Sequence, residues 1–264
     1  MPEAATTYRL SPAWTVSQSG VALLVSGGAD ARYQIDLEAP GTSFFADLNR
    51  DRTFTLEQLG SEDRRILEQL MTAEVVVPVL AADYVLRAAV VGDVSDLALP
   101  AHDLITVVAP DAQPDLLVVV RTTSTYAQLL AALDYRRLAT PHLLVDMAFH
   151  HTASLGPLVF PGETACIACL EGRIGVRWGD DVPPPRPQAS AHAASLVAQL
   201  ALHEVARIAQ GDTSLTNKTV AWDLRERTVT TAQLLKVPLC PVCQRHDSPG
   251  HPPAGAISLP WSRE

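Results

Sequence analysis

Within the first eighty residues the spacing of apolar positions changes period once. Trp14-Thr15-Val16, Gly20-Val21-Ala22-Leu23-Leu24-Val25 and Arg32-Tyr33-Gln34-Ile35-Asp36-Leu37 are short apolar or β-branched runs and predict three strands. Gly27-Gly28-Ala29-Asp30 supplies a turn between the second and third. The spacing then becomes helical. Thr42 is placed to cap a short helix reaching Asn49, Thr55 a second, and Ser61 a third running to Thr72. On that third helix Ile66, Leu67, Leu70 and Met71 share one apolar face. Three strands and three short helices predict a winged-helix-like unit over residues 1–82, closed by the apolar run from Glu74 to Leu80.

The rest of the chain, 83–264, reads as a second domain of α/β class. Tyr84 to Val91, Asp115 to Val120 and Leu143 to Ala148 are apolar on both faces, as strands inside a covered sheet are. Between the last two, Tyr126 to Arg137 carries Leu129, Leu130 and Leu133 on one side and predicts a helix, so the order argues for parallel wiring. Pro183-Pro184-Pro185-Arg186-Pro187 makes a stiff connector. Ser190 can then cap a long helix to Gln210, with Leu196, Val197, Leu200, Val205 and Ile208 on its core face and Gly211 as its stop. A hairpin is expected from Trp222-Asp223-Leu224 and Thr228 to Thr231. The Pro- and Gly-rich tail from Ser248 is expected to be mobile.

Composition narrows the function classes. At 264 residues the chain can bury two cores, and its formal net charge of −9 with no basic stripe argues against nucleic acid as a partner. No apolar run reaches the ~18 residues that span a bilayer. The opening Met-Pro-Glu-Ala-Ala-Thr lacks the features of a secretion signal, so a cytoplasmic, reducing location is expected.

All four cysteines lie in two matched knuckles, Cys166-Ile167-Ala168-Cys169 and Cys240-Pro241-Val242-Cys243, separated by 70 residues. Each turn lets two thiolates converge on one ion, and the pair completes a tetrahedral Cys₄ site of the kind that holds structural zinc. Two unrelated knuckles or a redox dithiol are the alternatives. A closed site of this type leaves no open position for chemistry.

The stretch Leu155-Gly156-Pro157-Leu158-Val159-Phe160-Pro161-Gly162-Glu163-Thr164-Ala165-Cys166-Ile167-Ala168-Cys169-Leu170, taken with the distal Cys-Pro-Val-Cys, resembles the E1-like (ThiF-type) proteins of azoline peptide biosynthesis. More narrowly, it is similar to the leader-peptide-binding partners of YcaO cyclodehydratases in thiazole/oxazole and thiopeptide pathways. The resemblance implies a RiPP recognition element followed by a truncated E1-like (Rossmann-type) domain with its zinc, a YcaO-type enzyme as partner, and a homodimer. It also implies that the leader of a ribosomally made precursor is bound as an added strand. That strand would lie against Arg32, Tyr33, Gln34, Ile35 and Leu37, beside the helix bearing Arg64, Arg65, Leu67, Glu68 and Met71. Read without the resemblance, the apolar members of that set fill a core and the charged ones form a solvated face.

An ATP-dependent adenylating enzyme is the competing expectation, and a purely structural docking subunit is a third. Adenylation asks for a Gly-rich turn after the first Rossmann strand, whereas Val90-Val91-Gly92-Asp93-Val94-Ser95-Asp96 holds one glycine. Of twenty Lys and Arg residues only Lys218 and Lys236 are lysines, both far downstream. The expectation is therefore a non-catalytic protein. Among weaker candidates, His150-His151 paired with Asp146 could form an acid–base group at a strand end. His192 and His203 read as partly buried, Asp180-Asp181 as a solvated loop, and His246 and His251 as competitors for the metal.

Overall fold

The computed structural model describes residues 6–29, 31–38, 41–49, 52–79, 85–93, 97–238 and 240–243. The tail from Ser248, His246 and His251 lie outside them. The chain divides into two compact units, 1–83 and 84–264.

The first unit runs β1 (Thr7–Leu10), β2 (Thr15–Ser19), β3 (Ala22–Gly27), β4 (Ala31–Asp36), β5 (Thr53–Thr55), α1 (Ser61–Thr72) and β6 (Val76–Val79). β2, β3 and β4 form an antiparallel meander; β1 lies between β5 and β6 in a second small sheet. β1 and β5 escaped the sequence reading because three or four residues hold too few alternations to display a period of two. Two of the three expected helices are single 3₁₀ turns, Phe44–Asp47 and Leu56–Gln58. Such short segments do not repay the cost of nucleating an α-helix. Ser43, not Thr42, caps the first: its Oγ accepts from Phe45 N–H and donates to Asp63 Oδ1 at 2.9 Å. α1 begins one residue earlier than a Ser61 cap requires, with Gly60 at the N-cap. Leu23, Val25, Phe45, Phe54, Ile66, Leu67 and Leu70 fill the core, while Met71 is exposed rather than part of it.

The second unit runs β7 (Leu86–Gly92), β8 (Ile105–Val107), β9 (Leu116–Arg121), α2 (Tyr126–Ala132), β10 (His142–Asp146), β11 (Thr152–Val159), α3 (Ile167–Trp178), α4 (Gln188–Ala209), β12 (Lys218–Asp223) and β13 (Thr228–Gln233). Its seven-stranded sheet has the order β13-β12-β11-β10-β9-β7-β8. The expected parallel wiring holds for β8, β7, β9 and β10; β11, β12 and β13 are antiparallel, which makes the sheet mixed. The reason is connection length. The few residues between β10 and β11 permit only an antiparallel return, since a parallel one needs a longer crossover.

Both faces of the sheet are covered. α4 packs its small and β-branched residues on one face through Ala189, Val197, Ala201 and Val205. α2 and α3 lie on the other with the four cysteines. α2 ends at Ala132, short of the expected Arg137, because Asp134 turns into a positive φ and Tyr135 N–H folds back onto Leu130 C=O. α4 starts at Gln188 after Pro187, so Ser190 sits in its first turn and donates to Pro187 C=O. Leu196, His192 and His203 face solvent, contrary to the sequence reading. No helix among the described residues is long and apolar enough to cross a membrane.

Candidate functional site

In the first unit β4 is a terminal strand of its meander, so one backbone edge has no partner strand among the described residues. Its register with β3 sets Tyr33 opposite Val25 and Ile35 opposite Leu23, both core residues. Side chains directly opposite share a face. Tyr33 and Ile35 thus extend the apolar layer to the edge, where Tyr33 is half exposed and lies 5.6 Å from Trp14, ring to ring. Arg32, Gln34 and Asp36 alternate to the other face, and Leu37 is partly buried against the core.

α1 lies beside the end of this strand. Glu38 N–H donates to Glu62 Oε1 at 2.5 Å, and Glu38 Oε1 pairs with Arg65 Nε at 3.1 Å. Arg64, Arg65, Glu68 and Met71 are exposed along α1. Leu67 is not available: it is 2% exposed, inside the core, because the helix must bury one stripe to pack at all.

In the second unit the chain leaves β7 toward β8 on one side and takes up β9 on the other, so the C-terminal ends of β7 and β9 form a switch point where α/β folds bind ligands. An open cleft of about 550 Å³ lies there, lined by Gly92, Asp93, Thr123, Ser124, Gln128 and Leu129. Gly92 takes φ +96°, and a Cβ on it would run into the Val120 carbonyl. Asp93 Oδ2 accepts the N–H groups of Thr122, Thr123 and Ser124 at 2.9 to 3.0 Å and the Ser124 hydroxyl at 2.8 Å. Burial pushes the Asp93 carboxyl up, but these donors win and hold it below its ordinary range. Asp180 lies in an exposed loop, as expected, and from there accepts the first two amides of α2, Tyr126 and Ala127, at 3.1 Å each.

Beside the cleft, Arg121 and Asp146 stand opposite each other at the ends of β9 and β10. Asp146 Oδ2 accepts Arg121 Nε at 3.1 Å, Arg121 Nη2 at 2.9 Å and the Tyr126 hydroxyl at 2.6 Å. The Arg121 guanidinium also lies 3.7 Å from the centre of the Tyr126 ring. Burial, then the charge of Asp146, holds the Tyr126 phenol protonated far above its usual range. The weaker candidate, an Asp146–His150–His151 acid–base group, does not form: Asp146 is spent on Arg121, His150 is exposed, and His151 pairs with Asp223 at 3.4 Å. A signal for the Arg121–Asp146 pair was present in the sequence, since each of two apolar strands ends on a charge of opposite sign.

The four cysteines, expected to meet, do so. All are buried, and their sulfurs lie within 4.8 Å of one another. Cys166 is 3.7 Å from Cys169, 3.8 Å from Cys240 and 3.5 Å from Cys243, and Cys169 is 3.5 Å from Cys243. Zn–S bonds of ~2.3 Å in a tetrahedron set sulfurs ~3.8 Å apart, so the donors present fit such an ion. Cys169 is driven toward thiolate by hydrogen bonds from Cys166 and Cys243, assisted by Val237 N–H at 3.4 Å.

No protein-family model matches the chain, and no curated protein matches it in sequence. Among solved structures, a heterocyclase in complex with substrate and cofactor superposes with a TM-score of 0.53 at 15% identity, over 90% of this chain and 39% of that one. The heterocyclase TruD gives 0.50 at 18%, over 90% and 43%. The microcin C7 biosynthetic enzyme MccB in complex with N-formylated MccA gives 0.51 at 12%, over 90% and 99%. The chain therefore has the fold of heterocyclases and MccB. It spans less than half the length of the heterocyclase chains and nearly all of MccB's.

Proposed function

We propose that this protein is a non-catalytic, leader-binding partner of a YcaO-type cyclodehydratase in RiPP biosynthesis. In this reading residues 1–82 are a winged-helix-like RiPP recognition element, and the remainder is an E1-like domain stapled by one structural zinc at Cys166, Cys169, Cys240 and Cys243. The observation that carries it is the edge of β4, unpaired among the described residues, with an apolar layer behind it and the exposed Arg64 and Arg65 on α1, the latter paired with Glu38 past the strand's end. An extended peptide adds to such an edge through its backbone and is selected by its side chains. The fold likeness agrees, because the heterocyclase and MccB structures contain substrate and MccA, respectively. Holding the leader would raise the effective concentration of the core peptide at the partner enzyme.

The absence of catalysis is supported by the switch point. Three backbone amides there that could cradle a phosphate already hold the Asp93 carboxylate, whose charge would repel one. The cleft beside it favours a second reading, an ATP-dependent adenylating enzyme.

Fluorescence anisotropy with the leader peptide of a precursor encoded nearby separates them. The adaptor reading expects low-micromolar binding, unchanged by ATP. Arg64→Ala with Arg65→Ala should weaken it by about tenfold, roughly 1.4 kcal/mol. ATP binding without leader binding would overturn it in favour of adenylation.

A further inference from the structure

Cys166 is the N-cap of α3, and the backbone N–H groups of the residues on either side of it are both held by distant side chains. The N–H of Ala165 donates to Asn217 Oδ1 at 2.7 Å. The N–H of Ile167 donates to the Tyr135 hydroxyl at 2.8 Å. Tyr135 in turn lies 2.6 Å from His142 Nε2, and His142 Nδ1 lies 2.9 Å from Thr140 C=O. The ends of this chain fix its direction. A backbone N–H can only donate and a carbonyl can only accept. His142 therefore carries its proton on Nδ1 toward Thr140, Tyr135 donates to Nε2, and its oxygen is free to accept from Ile167. Every polar group in the relay is satisfied although Tyr135 is 4% exposed and His142 1%.

We propose that Tyr135, oriented by His142, and Asn217 are positioning residues for the metal site: they clamp the backbone around Cys166 so that its thiol faces the other three. This rests on the reading of the four cysteines as a metal centre. Cys166 has extended backbone as the N-cap of α3, with no side-chain cap of its own. Nothing within the knuckle holds the amides of Ala165 and Ile167, and the clamp supplies that restraint from the loop after α2, from β10 and from the turn before β12. Outer partners that aim a ligand in this way are worth ~10–100-fold in metal affinity. Asn217 suits its place, since its φ of +54° is one that Asn tolerates better than most residues.

The test uses the full chain loaded with Zn²⁺ or Co²⁺. Tyr135→Phe removes the acceptor while keeping the ring. Asn217→Gly removes the amide at a backbone geometry glycine accepts, and His142→Gln keeps an acceptor for the Tyr135 hydroxyl. Chelator competition is expected to show ~10–100-fold weaker metal binding for Tyr135→Phe and Asn217→Gly, with altered Co²⁺–thiolate absorption and a smaller loss for His142→Gln. Wild-type affinity and an unchanged cobalt spectrum in both Tyr135→Phe and Asn217→Gly would overturn the clamp and leave these residues as core packing. If either variant fails to fold, the other decides. A wild-type chain that takes up neither metal would overturn the metal centre itself, and the clamp with it.

Discussion

Arg121 and Asp146 form a two-pronged ion pair across adjacent parallel strands, Nε at 3.1 Å and Nη2 at 2.9 Å from one carboxylate oxygen, with almost no solvent access. Removing one partner from a buried pair strands the other charge, which costs ~3–5 kcal/mol. Asp146→Ala should lower urea-denaturation stability by that amount. Tyr126→Phe removes only a neutral donor from the same oxygen and should cost about 1–3 kcal/mol. Equal losses would mean that the tyrosine, not the ion pair, organises the end of the sheet.

Burial pushes His142 down to about 4 from its ordinary 6.5, and its bond to Thr140 offsets this only in part. Between those values the unfolded chain takes up a proton that the folded chain refuses, so stability must fall as pH falls. The contribution is complete above about pH 6.5 and is lost toward pH 4, with a slope of up to ~1.4 kcal/mol per pH unit. His142→Gln should flatten that part of the stability–pH curve. A slope as steep as that of the wild type would assign the acid sensitivity to other groups.

Glycines with positive φ need not be equivalent. Gly28 has φ +67° and open space around it, whereas Gly92 has φ +96° and the Val120 carbonyl where a Cβ would go. Alanine at 28 should cost about 1 kcal/mol, the ordinary penalty for left-handed backbone. At 92 it must also displace the carbonyl and should cost about 2–4 kcal/mol, with the β7–β9 pairing disturbed. Thermal melts of the two variants check the ranking.

Metal content is the most direct measurement on the knuckles. Purified protein should carry one equivalent of zinc by elemental analysis, and a strong chelator should lower the melting temperature by about 10 °C or more, because a site absent from the unfolded chain makes its binding energy folding energy. Cys240→Ser should mimic the chelator. Metal-free protein with an unchanged melting temperature would return the cysteines to the status of buried thiols.

Local physics made part of this legible in the sequence. Two matched Cys-x-x-Cys pairs pointed to their meeting across 70 residues because two such turns together make the donor set of one tetrahedral site. Apolar runs announced β7, β9 and β10 because strands covered on both faces must be apolar throughout. α4 announced itself by 22 residues of helical spacing, long enough for the period to rise above chance. The β12–β13 hairpin was also legible, as two short runs around a turn, but β1 and β5 carried too few residues to show a period, and the antiparallel return of β11 emerged only in three dimensions.

Tertiary structure alone decided which polar residues meet. Asp93 reached the amides of Thr122 to Ser124, Asp180 crossed more than fifty residues to α2, and Tyr135, His142 and Asn217 converged on Cys166. It also withdrew Leu67 into the core and left Met71 outside. A sequence records periodicity and composition, which burial imposes on every residue of an element. Most of these hydrogen-bond partners depend on which elements pack together and on how the chain crosses between them, and a pattern local to one element does not encode that.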